Sequence, residues 1–229
     1  MAQISSSTFN FIVDLMMNNN RPWFNDNKDR YLDAQANMAD FAQVVLDELS
    51  KHDRLEQETG KKSLFRIYRD VRFSKDKSPY KSHLSGSFSR LGADRRGGFY
   101  FHIQPGSSFI GGGFWGPSRD DLLQIRKQIA GDAAPLRKVL RSKSFKDHFG
   151  MLGGDQLKTA PRDFPKDHPE IDLLRYKQFI VRTNFTDEQV LSPDFAQQVA
   201  GGFKAMLPFF GVMTEYLTTD LNGVSLLEG

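Results

Sequence analysis

The chain has 229 residues, of which 39% are hydrophobic and 26% charged, with no cysteine and a formal net charge of +3. A chain of this length buries roughly 70% of the surface its unfolded form exposes, so a sizeable core is available. These proportions exclude collagen-like, disordered and disulfide-stapled classes, and the missing thiols remove thiolate metal sites, CxxC redox chemistry and a cysteine nucleophile.

The opening stretch, MAQISSSTFNFIVDLMM, has no leading basic cluster and its apolar run is broken by Asp14. It does not read as a secretory leader, and a cytoplasmic location is the expectation. The longest apolar stretch, Ala205 to Met213, contains Pro208 and falls well short of the ~20 residues a membrane helix needs, so no membrane partner is expected. The 20 phenylalanines are the compositional excess and predict an aromatic-rich core.

Phe9, Ile12, Val13 and Met16 recur at helical spacing and predict a first short helix over 8–17, with Asn18, Asn19 and Asn20 supplying stop chemistry. From Asn27 to His52, Tyr31, Ala34, Met38, Phe41, Val45 and Leu49 recur every three or four residues, predicting a long amphipathic helix. The stretch KSLFRIYRDVRF fits two patterns. Phe65, Ile67, Val71 and Phe73 alternate as in a strand, whereas Leu64, Ile67, Tyr68 and Val71 match a helical stripe; aromatic and β-branched content favours the strand.

After a turn-rich loop with Ser74, Asp76, Ser78 and Pro79, the alternation of Leu84, Gly86 and Phe88 predicts a second strand. Phe99, Phe101 and Ile103 begin a hairpin that Pro105-Gly106 turns, as a type II turn, towards Phe109 and Ile110. Ser118-x-x-Asp121 caps a helix carrying Leu122, Ile125 and Ile129, and two shorter helical patterns reach Phe149. Residues 153–169 read as a long connection and Gln178 to Phe185 as a fifth strand. Thr186-x-x-Gln189 caps a short turn, and a terminal helix runs from Ser192-Pro193 towards Thr219, with Pro208 expected to kink or split it. Strands and helices without a regular βαβ alternation predict one α+β domain over residues 1–229 (core about 8–220), its largely antiparallel sheet of about five strands flanked by helices.

Charge is concentrated in one place. Residues 61–83 carry Lys61, Lys62, Arg66, Arg69, Arg72, Lys75, Lys77 and Lys81 against Asp70 and Asp76, a local +6 that leaves the remainder at −3. Such asymmetry points to an anionic partner. If 64–72 is extended, Arg66, Tyr68, Asp70 and Arg72 share one face, with Asp70 orienting the guanidinium forks, and Lys75, Lys77, Tyr80 and Lys81 follow as a lid. The plain alternative is a solvated face with internal ion pairs.

Other motifs carry little chemistry. Gly111-Gly112-Gly113 followed by the Ser118 helix offers backbone amides to an anion but lacks the GxGxxG spacing, and Gly60-Lys61-Lys62-Ser63 lacks the remaining residues of a P-loop. Ser74-x-x-Lys77 and Ser78-x-x-Lys81 stand without their companion motifs. His52, His83, His102, His148 and His168 show no paired spacing, so neither a metal nor an organic cofactor is expected. His102 reads as a core histidine bonded to a neighbour, and Asp167-His168 as turn chemistry or an acid–base pair with Arg162 nearby.

The segments NNNRPWFNDNKDRY, RIYRDVRFSKDKSPYK, FHIQPGSSFIGGGFWGP and LKTAPRDFPKDHPEIDLLRYKQF, in this order, resemble an uncharacterised conserved hypothetical family, domain of unknown function 2461. The resemblance runs from about Phe9 to Phe210, implies a single domain and lends no catalytic residue. Arg162-Asp163 stands where the family pattern leads to Arg-Gly.

The leading expectation is a cleft for a phosphorylated or otherwise anionic small molecule. Arg66, Arg69, Arg72, Lys75, Lys77, Tyr80 and Lys81 would bind it, supported by Asp70, Trp115 and Ser118, with Tyr80 and Trp115 as a stacking wall. Nucleic-acid binding through the same basic face, with Tyr68, Phe73 and Tyr80 interleaved, is the second choice. Phosphoryl-transfer or hydrolytic chemistry with Asp70, His83 or His168 as proton carrier comes third, and a ligand-free scaffold fourth. The sequence sets no oligomeric state.

Overall fold

Short polar side chains placed just ahead of apolar runs begin most of the helices, as the computed structural model shows over residues 3–227. Helix α1 (Ser6–Met17) starts where the Ser5 hydroxyl accepts the Thr8 N–H, and α2 (Arg21–Asp26) where the Asn20 side chain accepts the Trp23 N–H. The asparagine run therefore ends one helix and starts another. A six-residue helix is too short to show a period, which is why α2 is not visible in the pattern.

Helix α3 (Lys28–Leu49) follows the predicted stripe, burying Tyr31, Ala34, Met38, Phe41, Val45 and Leu49, and α4 (Gly60–Ser63) is a single turn capped by Thr59. Strands β1 (Leu84–Ser89), β2 (Gly98–Ile103) and β3 (Ser108–Phe114) come next. Helices α5 (Arg119–Gly131), α6 (Ala134–Arg141), α7 (Lys143–Phe149) and α8 (Ile171–Leu174) then precede β4 (Phe179–Phe185), α9 (Asp187–Val190) and α10 (Phe195–Thr218). The sheet is antiparallel in the order β1-β2-β3-β4, making the fold α+β.

The sheet has four strands because the stretch after Leu64 is not one. Its expected apolar face does not exist: Ile67 is buried (1% exposed), but Phe65 is 45% and Phe73 97% exposed. Residues 64–83 instead form an irregular hairpin, with bridges at Leu64–Gly86 and Tyr68–Tyr80 and a backbone hydrogen bond from Lys81 to Ile67. Arg66, Tyr68, Asp70 and Arg72 consequently do not line up on a strand face. The β2–β3 connection is the expected turn, closed by the Ser107 N–H on the Gln104 carbonyl with Gly106 at φ 73°. Thr186 and Gln189 form a full capping box on α9. Pro208 lies inside α10 without dividing it.

The described chain comprises two compact units. The first runs to Ser89 and adds Tyr100–Ile110 and Asn184–Gly202; the second holds Arg90–Phe99, Gly111–Thr183 and the residues from Phe203. In the first, Phe41 on α3 meets Phe101 edge-on at 5.6 Å and stacks on Phe195 at 5.5 Å. In the second, Phe99 packs on Phe203 and Phe210 at 5.1 and 5.0 Å, while Phe145 meets Phe149 and Phe209. These contacts are the aromatic core that the phenylalanine excess predicts.

Gly113 explains part of the triple-glycine run. Its φ is +124°, and a Cβ there would lie 2.1 Å from the Phe179 carbonyl oxygen of the neighbouring strand. Gly113→Ala should therefore cost at least about 3 kcal/mol in urea unfolding. Gly201→Ala, in α10 with nothing within 4 Å of the added methyl, should stabilise by about 0.5–1 kcal/mol.

Candidate basic-hairpin site

The hairpin of residues 64–83 is positioned by Tyr80. Its ring is 4% exposed, stacks on Phe24 of α2 at 4.0 Å and 18°, and tilts against Tyr68 at 5.5 Å. The Asn19 side chain grips the Tyr80 backbone twice, donating to its carbonyl (2.9 Å) and accepting its N–H (3.1 Å). Tyr80 is thus an anchor in the core. Both its ring and its backbone are engaged within the protein.

At the tip, each of two arginines has its own carboxylate. The Arg69 guanidinium donates to Asp76, to the Ser78 carbonyl (3.2 Å) and to the Ser74 hydroxyl (3.4 Å). Asp76 also accepts the Ser78 N–H and hydroxyl, and these bonds, with Arg69, hold its carboxyl far below the usual carboxylate range. Arg72 donates through Nε and Nη2 to Asp70 (3.0 and 2.7 Å), which lowers the Asp70 pKa. The Lys77 ammonium donates to the Val71 carbonyl at 3.0 Å, and Lys75 is exposed. This part of the charge is largely internally compensated.

The base of the hairpin differs. Met16, Asn19, Arg69, Asp76, Ser78, Tyr80, Lys81, Ser82 and His83 line an open pocket of about 490 Å³. The Lys81 ammonium donates to the Arg66 carbonyl at 2.8 Å and lies 5.5 Å from the Phe65 ring centroid. Burial, and then the Arg66 charge, lower its pKa. Among the described residues neither Lys81 nor Arg66 has a carboxylate within ion-pair distance.

Next to Lys81 stands His83, whose ring lies 4.0 Å from that of His102 on β2. Burial first, then His102 and Lys81, push the His83 pKa down to about 4. His102 itself is held by the Tyr100 hydroxyl (3.0 Å) and the Gln104 side chain (2.9 Å), with Phe109 stacked on it at 4.8 Å. His83 is absent from the charge-selected set of anion ligands. The available signal was its position two residues beyond Lys81, which puts both side chains on one side of a chain entering β1.

Trp115 and Ser118 lie in the second unit. Trp115 is 73% exposed and lines a recess with Phe149 and Met151; the Ser118 hydroxyl is occupied as the cap of α5, accepting the Asp121 N–H at 3.0 Å. Also there, His168 Nδ1 accepts the Glu170 N–H at 3.1 Å, a turn contact. Nearby, Arg137 holds Glu170 and Asp172 at 2.6 and 2.5 Å, a charge cluster that spacing does not reveal. Asp163, which occupies the position where glycine was expected, has φ 74°, the left-handed region in which glycine is the least strained residue.

An α+β fold carrying a basic, aromatic-anchored hairpin is thus the class of protein defined by these elements. The chain belongs to the conserved hypothetical protein family DUF2461, whose model matches residues 7–211. No curated protein and no solved structure matches the chain. Among the described residues, no group of three or more histidine or acidic side chains is placed to hold a metal ion, and no helix is long and apolar enough to cross a membrane.

Because the folded chain keeps His83 neutral down to about pH 4, whereas an unfolded histidine takes its proton near pH 6.5, acid favours the unfolded state. Stability should be full above about pH 6.5 and fall progressively towards pH 4, by on the order of 1–2 kcal/mol after allowing for solvent screening of a partly exposed ring. Urea unfolding at the two ends of this window should show that loss in the natural protein and a smaller one in His83→Gln.

Proposed function

We propose that the protein binds a small molecule through a phosphoryl or other oxyanionic group at the base of the hairpin, with Lys81 as the principal contact and Arg69 beside it. The observation that carries this reading is the Lys81 environment: a partly buried ammonium next to a second cation and without a carboxylate. Desolvation and like-charge repulsion both disfavour that arrangement, and an arriving anion relieves both. Arg69, preset by Asp76 and the Ser78 carbonyl, faces the same pocket with its orientation already fixed. Arg66, Arg72, Lys75 and Lys77 lie outside the lining of this pocket and contribute general positive potential. A cytoplasmic setting, rich in phosphorylated metabolites, suits this reading.

One observation favours a second reading. Phe73 is 97% exposed at a tip that also bears Arg72, Lys75 and Lys77, the combination of stacking ring and cations that single-stranded nucleic acid uses. Titration with sulfate, inorganic phosphate and a short oligonucleotide separates the two. On the first reading Lys81→Met weakens phosphate and sulfate binding at least tenfold, or about 1.4 kcal/mol, while Phe73→Ala leaves it unchanged. Oligonucleotide binding that Phe73→Ala removes and that weakens steeply with salt, without binding of the simple anions, would establish the second reading instead.

A further inference from the structure

His83 enters the pocket with its ring against another imidazole and, among the described residues, with no hydrogen bond to either ring nitrogen. The groups facing it come from three directions. The hairpin contributes Lys81 and the Arg69–Asp76 pair; β2 contributes His102 and, through it, Tyr100; the end of α1 and the turn after it contribute only the uncharged Met16 and Asn19.

His102 is bonded on both sides. Its Nδ1 lies 3.0 Å from the Tyr100 hydroxyl and its Nε2 2.9 Å from the Gln104 side-chain oxygen, so both of its nitrogens are engaged. His83 has an open nitrogen, and what keeps a proton off it is burial, the neighbouring ring and the Lys81 charge. An anion seated at Lys81 cancels the last of these and supplies an acceptor for a new N–H.

We propose that His83 is the proton-accepting contact of this site: an oxyanion bound at Lys81 draws one proton from solvent onto the open nitrogen of His83, which then donates a hydrogen bond to that anion. One N–H bond forms, the proton comes from water or buffer, and no other bond changes. This inference rests on the anion-binding reading above and deepens it, since it makes the site selective for oxyanions able to accept a charged donor and couples their capture to proton uptake.

Sulfate is the probe, because it stays essentially fully ionised between about pH 4 and pH 8, so any proton taken up belongs to the protein. Calorimetric titrations across this range should show sulfate affinity falling by about tenfold per pH unit over the interval between the free and the bound midpoints of His83. The His83→Gln variant should bind sulfate more weakly and without that slope. Ring-proton NMR of the natural protein, with and without saturating sulfate, should show the His83 midpoint rising by at least one pH unit. This measurement needs no variant and so remains decisive if His83→Gln fails to fold. Saturable sulfate binding with a flat pH profile and an unmoved His83 midpoint overturns the inference while leaving the anion-binding reading intact. A slope that persists in His83→Gln overturns it too, since the proton then goes elsewhere. Sulfate binding at no pH overturns both.

Discussion

Asn19 and Phe24 hold Tyr80 from two sides, one pairing with its backbone and the other stacking on its ring. Two amide hydrogen bonds at about 1 kcal/mol each, together with an aromatic stack worth about 0.5–1.5 kcal/mol beyond its burial, tie a hairpin with a net charge of +4 to a helical scaffold. With that anchor, Lys81 follows directly after a buried residue and cannot retreat fully into water.

The anchor divides the basic segment into two parts with different electrostatics. Towards the tip, Asp70 and Asp76 pair with Arg72 and Arg69, so the guanidiniums gain orientation but lose much of their free charge. Towards the base, Lys81 has no carboxylate within ion-pair distance among the described residues, and the imidazoles of His83 and His102, 4.0 Å apart and tilted by 31°, stand beside it. Charge density along a sequence marks where an anion can be attracted; the pairing of individual cations determines where it can be held.

Sequence legibility followed the range of the forces involved. Helix α3 was readable because 22 residues repeat one apolar stripe, and the β2–β3 hairpin because a Pro-Gly turn and alternating aromatics are local signals. The stretch after Leu64 was misread because its alternation lacks a partner layer: Phe73 points into solvent, and Tyr80 uses the space beside Phe24 that a strand face would need. The same limit applies to the site. Counting charges located the segment, but the capture of Arg69 by Asp76 depends on a turn that Ser78 closes, and the His83–His102 contact depends on two chain segments meeting across 19 positions. Asp163 stands where the family pattern leads to glycine, and its φ of 74° lies in the left-handed region that glycine occupies with least strain.

The proposed function requires that an oxyanion be held at the base of the hairpin and not at its tip. A crystal structure of the protein grown in ammonium sulfate tests this most directly. An ordered sulfate with oxygens within about 3.2 Å of both Lys81 Nζ and a His83 ring nitrogen is the predicted result. Sulfate ordered only around Arg72, Lys75 and Lys77, with the Lys81 ammonium turned to a carboxylate, would contradict it.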